Sequence, residues 1–286
     1  MVLNVGAGPL NSRLSKFFAK CSIYLADYVS FRDVESQALI GRLGVKRTTH
    51  VFPDSAYALD IATYEIANTL SIAKPVVGIN PIGFCDPRTW PRQDQSAYSR
   101  YMDSLTEFSL WLISQNYRLR IFTGELSVDV YAVEDLKLRL SSCLPLSDID
   151  DLCAPPSGNV KDLLAEISKL DFVVTSKFHG VIFSHLLTKP VIALSYHNKI
   201  NDLMRTVGHS QYCLDIEGFD MKCLKEAFIS LAENSQSLQT LFRQKTHSNV
   251  ELLKAQFDEL FVPGNSDHCP SILKAEQGGT VVSSST

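Results

Sequence analysis

Seven cysteines are scattered through the sequence, and no two of them form a Cys-x-x-Cys pair. That spacing excludes the common zinc and redox motifs, and an odd count without a framework predicts free thiols in a reducing compartment. No metal site is expected. No run approaches the ~20 apolar residues that a membrane span requires. The first residues, Met1 to Pro9, lack a basic segment followed by an apolar core, so no signal peptide is expected and a cytoplasmic location is. Cationic excess is missing as well: 27 Lys and Arg stand against 31 Asp and Glu, a formal charge of -4. A general nucleic-acid binder needs a basic surface to displace counterions, so that class is excluded, although a local cationic pocket for a small anion is not.

What is present is an alternation of strands and helices. Val2 to Val5 reads as a strand running into the tight turn Gly6-Ala7-Gly8-Pro9, and Leu10 to Lys20 has helical spacing. Tyr28 to Phe31 and Thr48 to Phe52 read as strands around a helix over Val34 to Leu43, with Asp33 as its cap and Gly44 as its stop. A second run starts after Lys74-Pro75. It has strands at Val76 to Asn80, Arg118 to Phe122, Phe172 to Thr175 and Val191 to Ser195, and helices between and after them. This order predicts parallel sheets. The expected organisation is an α/β chain with two Rossmann-like domains: an incomplete N-terminal one over 1–70, a C-terminal one over 71–262 and a disordered polar tail over 263–286. Three strands are few for a doubly wound sheet. Further strands are therefore expected from upstream sequence or from another chain.

One turn carries most of the chemistry. In open α/β sheets ligands bind at the carboxyl ends of strands, against helix N-termini. Thr175-Ser176-Lys177-Phe178-His179-Gly180 follows an apolar strand and opens a helix. Thr175 and Ser176 are read as caps, Lys177 as a fixed positive charge, and His179 as a first-turn histidine whose pKa the helix dipole lowers. The next strand opens into Ser195-Tyr196-His197-Asn198-Lys199. If the two strands are parallel neighbours, both clusters share one crevice and make an anion pocket. Thr123 ends another strand on the same edge, and Arg32 follows a strand of the first unit. His185 is read as a core residue, Gly6 to Pro9 as a tight turn, and the loop around Arg88, Trp90 and Arg92 as surface.

Ser176-Lys177-Phe178-His179, then Lys189-Pro190, an apolar strand, and Ser195-Tyr196 with Lys199, resembles the polysaccharide pyruvyl transferase family. Weaker similarity at Phe31-Arg32-Asp33 and Pro53-Asp54 extends the resemblance over most of residues 1–240. The resemblance implies a glycosyltransferase-B-like fold with the active site between two domains. It also implies phosphoenolpyruvate as co-substrate, with no other cofactor, and a sugar hydroxyl pair as acceptor. The product would be a pyruvyl ketal of a cell-surface polysaccharide. Many members show arginine where this chain has Lys177, which supplies charge without a planar fork.

On this reading His179 and Lys177 are the catalytic pair, His179 delivering a proton to the donor's methylene carbon. Ser176, Ser195, His197, Lys199, Arg32 and Thr123 are the substrate-binding residues. A sugar-nucleotide-dependent glycosyltransferase on the same fold is the first alternative, for which Glu217 is the nearest acid. A catalytically weak homologue acting as a binding partner is the second. Phosphate release from phosphoenolpyruvate, set beside sugar-nucleotide binding, separates the three.

Overall fold

A computed structural model of the chain describes residues 1–64, 74–145 and 152–262. Two parallel sheets organise it. The first has three strands in the order β1 (Val2–Val5), β2 (Val29–Phe31), β3 (His50–Val51). The second has five in the order β5-β4-β6-β7-β8, where β4 is Val76–Asn80, β5 Arg118–Ile121, β6 Phe172–Thr175, β7 Val191–Ser195 and β8 Cys213–Asp215. All pairings in both sheets are parallel. β6 and β7 are buried along their whole length, as strands covered on both faces must be.

Local chemistry starts most of the helices. In the first unit, α1 (Arg13–Leu25) is capped by Ser12 and α2 (Val34–Arg42) by Asp33, whose carboxylate accepts from the Ser36 amide at 2.6 Å. Gly44 takes φ +84° just past α2, where a side chain would be strained. In the second unit, Asp94 caps α3 (Gln95–Ser114), α4 is Asp129–Ser141, and Asn159 caps α5 (Val160–Ser168). α6 (Phe178–Leu186) and α7 (Asn198–Thr206) follow β6 and β7. Asp220 caps α8 (Met221–Glu233), and α9 (Ser235–Phe261) closes the described chain.

The cores are unequal. One large apolar cluster fills both sides of the five-stranded sheet, with Phe108, Ile121, Val181 and Phe228 fully buried within it. The three-stranded sheet has a small core of Ile23, Ala26, Val29, Phe31 and Ile40. Polar contacts join the units at one end. Gln256 of α9 donates to Asn4 at 3.0 Å and to Ser30 at 3.0 Å, so the last helix is tied back onto the first sheet.

The structure corrects several sequence expectations. The first helix starts at Arg13, three residues after Leu10, because Ser12 captures the Ser15 amide and fixes the start there. The strand at Thr48 to Phe52 shrinks to His50–Val51. The short strand β8 lies outside the expected elements: Cys213-Leu214-Asp215 is too short and too polar to signal itself, and it forms by pairing with the edge of β7. The expected junction near residues 65 to 75 lies largely outside the described residues, and the tail lies wholly outside them.

Candidate functional site

The register of the larger sheet assembles the site. Asn80 of β4 pairs with Thr175 of β6, and Thr175 with Ala193 of β7, so three strands end at one edge. The parallel neighbours expected from sequence are present, and the turns after β6 and β7 meet there. The Thr175 hydroxyl donates to Asn80 Oδ1 at 2.9 Å and accepts from the Lys177 amide at 3.1 Å. A β-carbon on Gly180 would meet that hydroxyl at 2.5 Å. Glycine is what lets α6 seat this close to β6.

α6 is apolar nearly all round, and every residue in it is buried except His179. A helix of that composition belongs in a core. The single residue it presents to solvent is His179, which feels the charges of Arg32, Lys199, Lys177 and Asp54. The His179 ring stacks on Phe183 one turn along, with centroids 6.0 Å apart. Its pKa is lowered, first by desolvation among the surrounding atoms, then by the positive charges of Arg32, Lys199 and Lys177, while Asp54 pulls the other way. The direction is the one expected, but the leading cause is desolvation rather than the helix dipole.

Three cations converge near this ring. The Arg32 guanidinium lies over the Phe178 ring, 4.4 Å from its centroid, and the Lys199 ammonium lies 5.7 Å from the same centroid. Arg32 reaches across from the first sheet and is held by Asp54, Nη1 to Oδ2 at 2.9 Å. Its Nε is buried without a hydrogen-bond acceptor. Lys199 has no carboxylate within ion-pair distance among the described residues, and burial together with Arg32 and Lys177 lowers its pKa. Such a set of cations is under mutual repulsion and gains stability from a bound anion.

The other expected site residues have varied fates. Lys177 does not point a free charge into the crevice; its ammonium is ion-paired with Asp129, a nearly fully buried carboxylate at the start of α4. Asp129 also accepts from the Gly83 amide at 3.3 Å, and burial raises its pKa against the pull of Lys177. Thr175 and Ser176 do not cap α6. The helix starts at Phe178, its N-cap position is Lys177 with no side-chain cap bond, and Ser176 is wholly buried, its hydroxyl 3.5 Å from that of Tyr101. Ser176 thus lies beneath the site surface, because the chain turns inward between the strand end and the helix. Ser195 is likewise buried and donates to the His197 carbonyl at 3.1 Å, shaping the turn. His197 caps α7 through Nδ1, which accepts from the Lys199 amide at 3.3 Å. Thr123 is buried, and its hydroxyl accepts from the Glu125 amide at 3.1 Å, so it too builds a turn. Glu217 is ion-paired with Arg92 at the surface, 2.9 Å away.

A cleft of about 830 Å³ opens beside this cluster, lined by the Gly6 to Pro9 turn, Arg32, His197, Lys199 and Arg205 among others. A β-carbon on Gly6 would meet the Arg32 guanidinium at 2.7 Å, so glycine there leaves room for the arginine. Asp54 lies in the weaker part of the resemblance but is not among the expected site residues, and Asp129 and Asn80 are contributors that the motif did not single out. The only sequence signals of Asp129 and Asn80 are helix-start and strand-end positions, which most polar residues share. Among the described residues no three His, Cys, Asp or Glu side chains converge as a metal site.

A family model described as polysaccharide pyruvyl transferase matches residues 1–198. No curated protein matches the sequence significantly. Among solved structures, TarM aligns with a TM-score of 0.50 and 11% identity over 89% of this chain and 48% of its own. A mutant O-GlcNAc transferase from Thermobaculum terrenum aligns at TM-score 0.45 and 15% identity, over 65% of this chain and 36% of its own. The chain thus spans less than half the length of either structure. The likeness to TarM supports the glycosyltransferase-B-like arrangement of Rossmann-like units and nothing beyond the fold. The turn around His179 falls within the matched region, which ends one residue before Lys199 and covers more than half of the sequence, and the chain belongs to the polysaccharide pyruvyl transferase family.

Proposed function

We propose that the crevice between the two sheets binds phosphoenolpyruvate and transfers its pyruvyl carbon skeleton to two hydroxyls of a saccharide, releasing inorganic phosphate. The observation that carries this reading is the pair Arg32 and Lys199 over Phe178 beside His179, with a guanidinium Nε that has no hydrogen-bond acceptor and lies 3.8 Å from Asp33 Oδ2, and an ammonium lacking a carboxylate. A carboxylated, phosphorylated donor supplies the anionic partner that Lys199 lacks. Arg32 offers a planar fork suited to a carboxylate or phosphate, and Lys199 a point charge.

The chemistry needs a proton on the donor's methylene carbon, which leaves cationic character at the neighbouring carbon. His179 in its protonated form delivers that proton. The first sugar hydroxyl adds to the cationic carbon and loses its proton to the medium. Phosphate then departs with the carbon–oxygen bonding pair, and the second hydroxyl closes the ketal and loses its own proton. Bound anion raises the pKa of His179 by offsetting the cations and so keeps the acid charged when it is needed. Lys177, tied to Asp129, contributes field rather than contact in this arrangement.

The test is phosphate release from phosphoenolpyruvate across a panel of saccharide acceptors, with the ketal methyl group followed by NMR. Acceptor-dependent release with a new methyl signal is the expected result. Sugar-nucleotide binding without binding of phosphoenolpyruvate would replace this reading with glycosyl transfer. Binding of neither donor would favour a non-catalytic role.

A further inference from the structure

The helix α1 carries an exposed apolar stripe that the function above does not use. It packs on the first sheet through Ala19 and Ile23, with Ala26 just beyond its end. Leu14, Phe17, Phe18, Cys21 and Leu25 recur three or four residues apart and lie on the opposite side of the helix. Leu14 is 64% exposed, Phe17 and Phe18 are each 58%, and Leu25 is 85%. Large apolar side chains gathered this way on a surface mark a contact site.

Charge identifies the occupant. Residues 13–25 include Arg13, Lys16 and Lys20 and no acidic residue, although the whole chain is net negative. Those three cations form no ion pair among the described residues. A second copy of the same helix would set cations against cations. A further strand–helix unit beside β1 would cover the flank of α1 within its layer, whereas the stripe points away from the sheet. An apolar ridge with basic residues along its side, lying flat, is the form that inserts into the headgroup region of an anionic bilayer.

From this geometry we infer that α1 docks the protein peripherally on anionic lipid surfaces. Leu14, Phe17, Phe18 and Leu25 enter the interface, and the lysine stems extend so that their charges meet lipid phosphates. No helix among the described residues is long and apolar enough to span a membrane, so this contact lies on the surface. The inference stands apart from the choice of donor and is read out without turnover.

The experiment is vesicle co-sedimentation of the full chain. One vesicle set is phosphatidylcholine alone; the other is phosphatidylcholine and phosphatidylglycerol in equal parts. Binding to the mixed vesicles alone is expected, weakening with salt. Phe17→Ser with Phe18→Ser should reduce it by at least about tenfold, given the two aromatic side chains withdrawn from the interface. Arg13→Gln, Lys16→Gln and Lys20→Gln together should remove the preference for anionic lipid, on the order of fivefold for each charge. All five positions are surface sites, and an unchanged melting temperature checks that the variants fold. Failure to sediment with the mixed vesicles, or equal sedimentation of the Phe17→Ser, Phe18→Ser variant, overturns the inference. So does a dimer in solution that this variant dissolves without any vesicle binding, since the stripe would then belong to a second copy.

Discussion

Two histidines on α6 stand a turn and a half apart and lead opposite lives. His185 is in the core. Its Nδ1 lies 3.0 Å from the Tyr57 hydroxyl, its ring 4.6 Å from that of Phe242, and its Nε2 has no partner. Burial drives its pKa down to about 3, and the neighbouring His209 falls to about 4 for the same reason. His179 is also desolvated, but three cations and the carboxylate of Asp54 surround it. Desolvation alone makes a histidine permanently neutral. Desolvation balanced by charges of both signs makes one whose proton a ligand controls.

The sharpest way to break the comparison is to substitute each in turn. His179→Gln should lower turnover by ~10²–10⁴-fold, the usual worth of a positioned acid. Its melting temperature should hold, since the ring is the only side chain of α6 outside the core. His185→Gln should do the reverse: a melting temperature several degrees lower, with near-normal turnover per folded molecule. Thermal melts and single-turnover assays on both variants check this. The contrast collapses if His185→Gln is stable and inactive.

The proton inventory gives the next largest effect. His185 and His209 are neutral in the fold and titrate near 6.5 once unfolded, so the unfolded chain binds more protons at acid pH. Stability is fully present above about pH 6.5 and is lost as the pH falls toward the folded values, by about 1.4 kcal/mol per pH unit for each group. Denaturant melts between pH 7 and pH 4 should show that slope, and His209→Phe should halve it. His179 reads out differently. The free enzyme's acid has a lowered pKa, so kcat/KM should decline with rising pH from an inflexion below 6.5, and kcat at higher pH once the donor is bound.

How far the sequence revealed this site follows from sequence distance. The clusters 175–180 and 195–199 were legible because consecutive apolar strands in an alternating pattern pair in parallel, and their ends then coincide. Arg32 and Asp54, which come from the other sheet, were visible as the weaker part of the resemblance, but nothing in the sequence showed that they pair with each other. Asp129 was invisible: nothing local distinguishes a helix-start aspartate that ion-pairs with a lysine 48 positions later from one that merely favours the dipole. Ser176 shows the opposite error. Its type fits a cap, yet the turn sends it inward against Tyr101, whose own pKa burial pushes up to about 12.

Donor binding should divide the cations. Lys199→Met removes the ammonium without a carboxylate partner and should raise the KM for phosphoenolpyruvate by about tenfold or more, the scale of one charge-assisted contact. Isothermal titration with phosphoenolpyruvate separates that loss from any change in chemistry. An unaltered affinity would show that the anion sits elsewhere in the crevice.

Asp129→Asn is the subtlest probe. The amide keeps an acceptor for the Gly83 N–H and removes the charge that neutralises Lys177. The freed ammonium then adds to the field already depressing His179, so the inflexion in kcat/KM should move to lower pH. Donor affinity should tighten by about two- to fivefold, the scale of a partly exposed ion pair. A large loss of turnover with no shift in the profile would mean the reverse. Lys177 would then act only while Asp129 holds it, and the second cation of the motif would be a positioned group rather than a background charge.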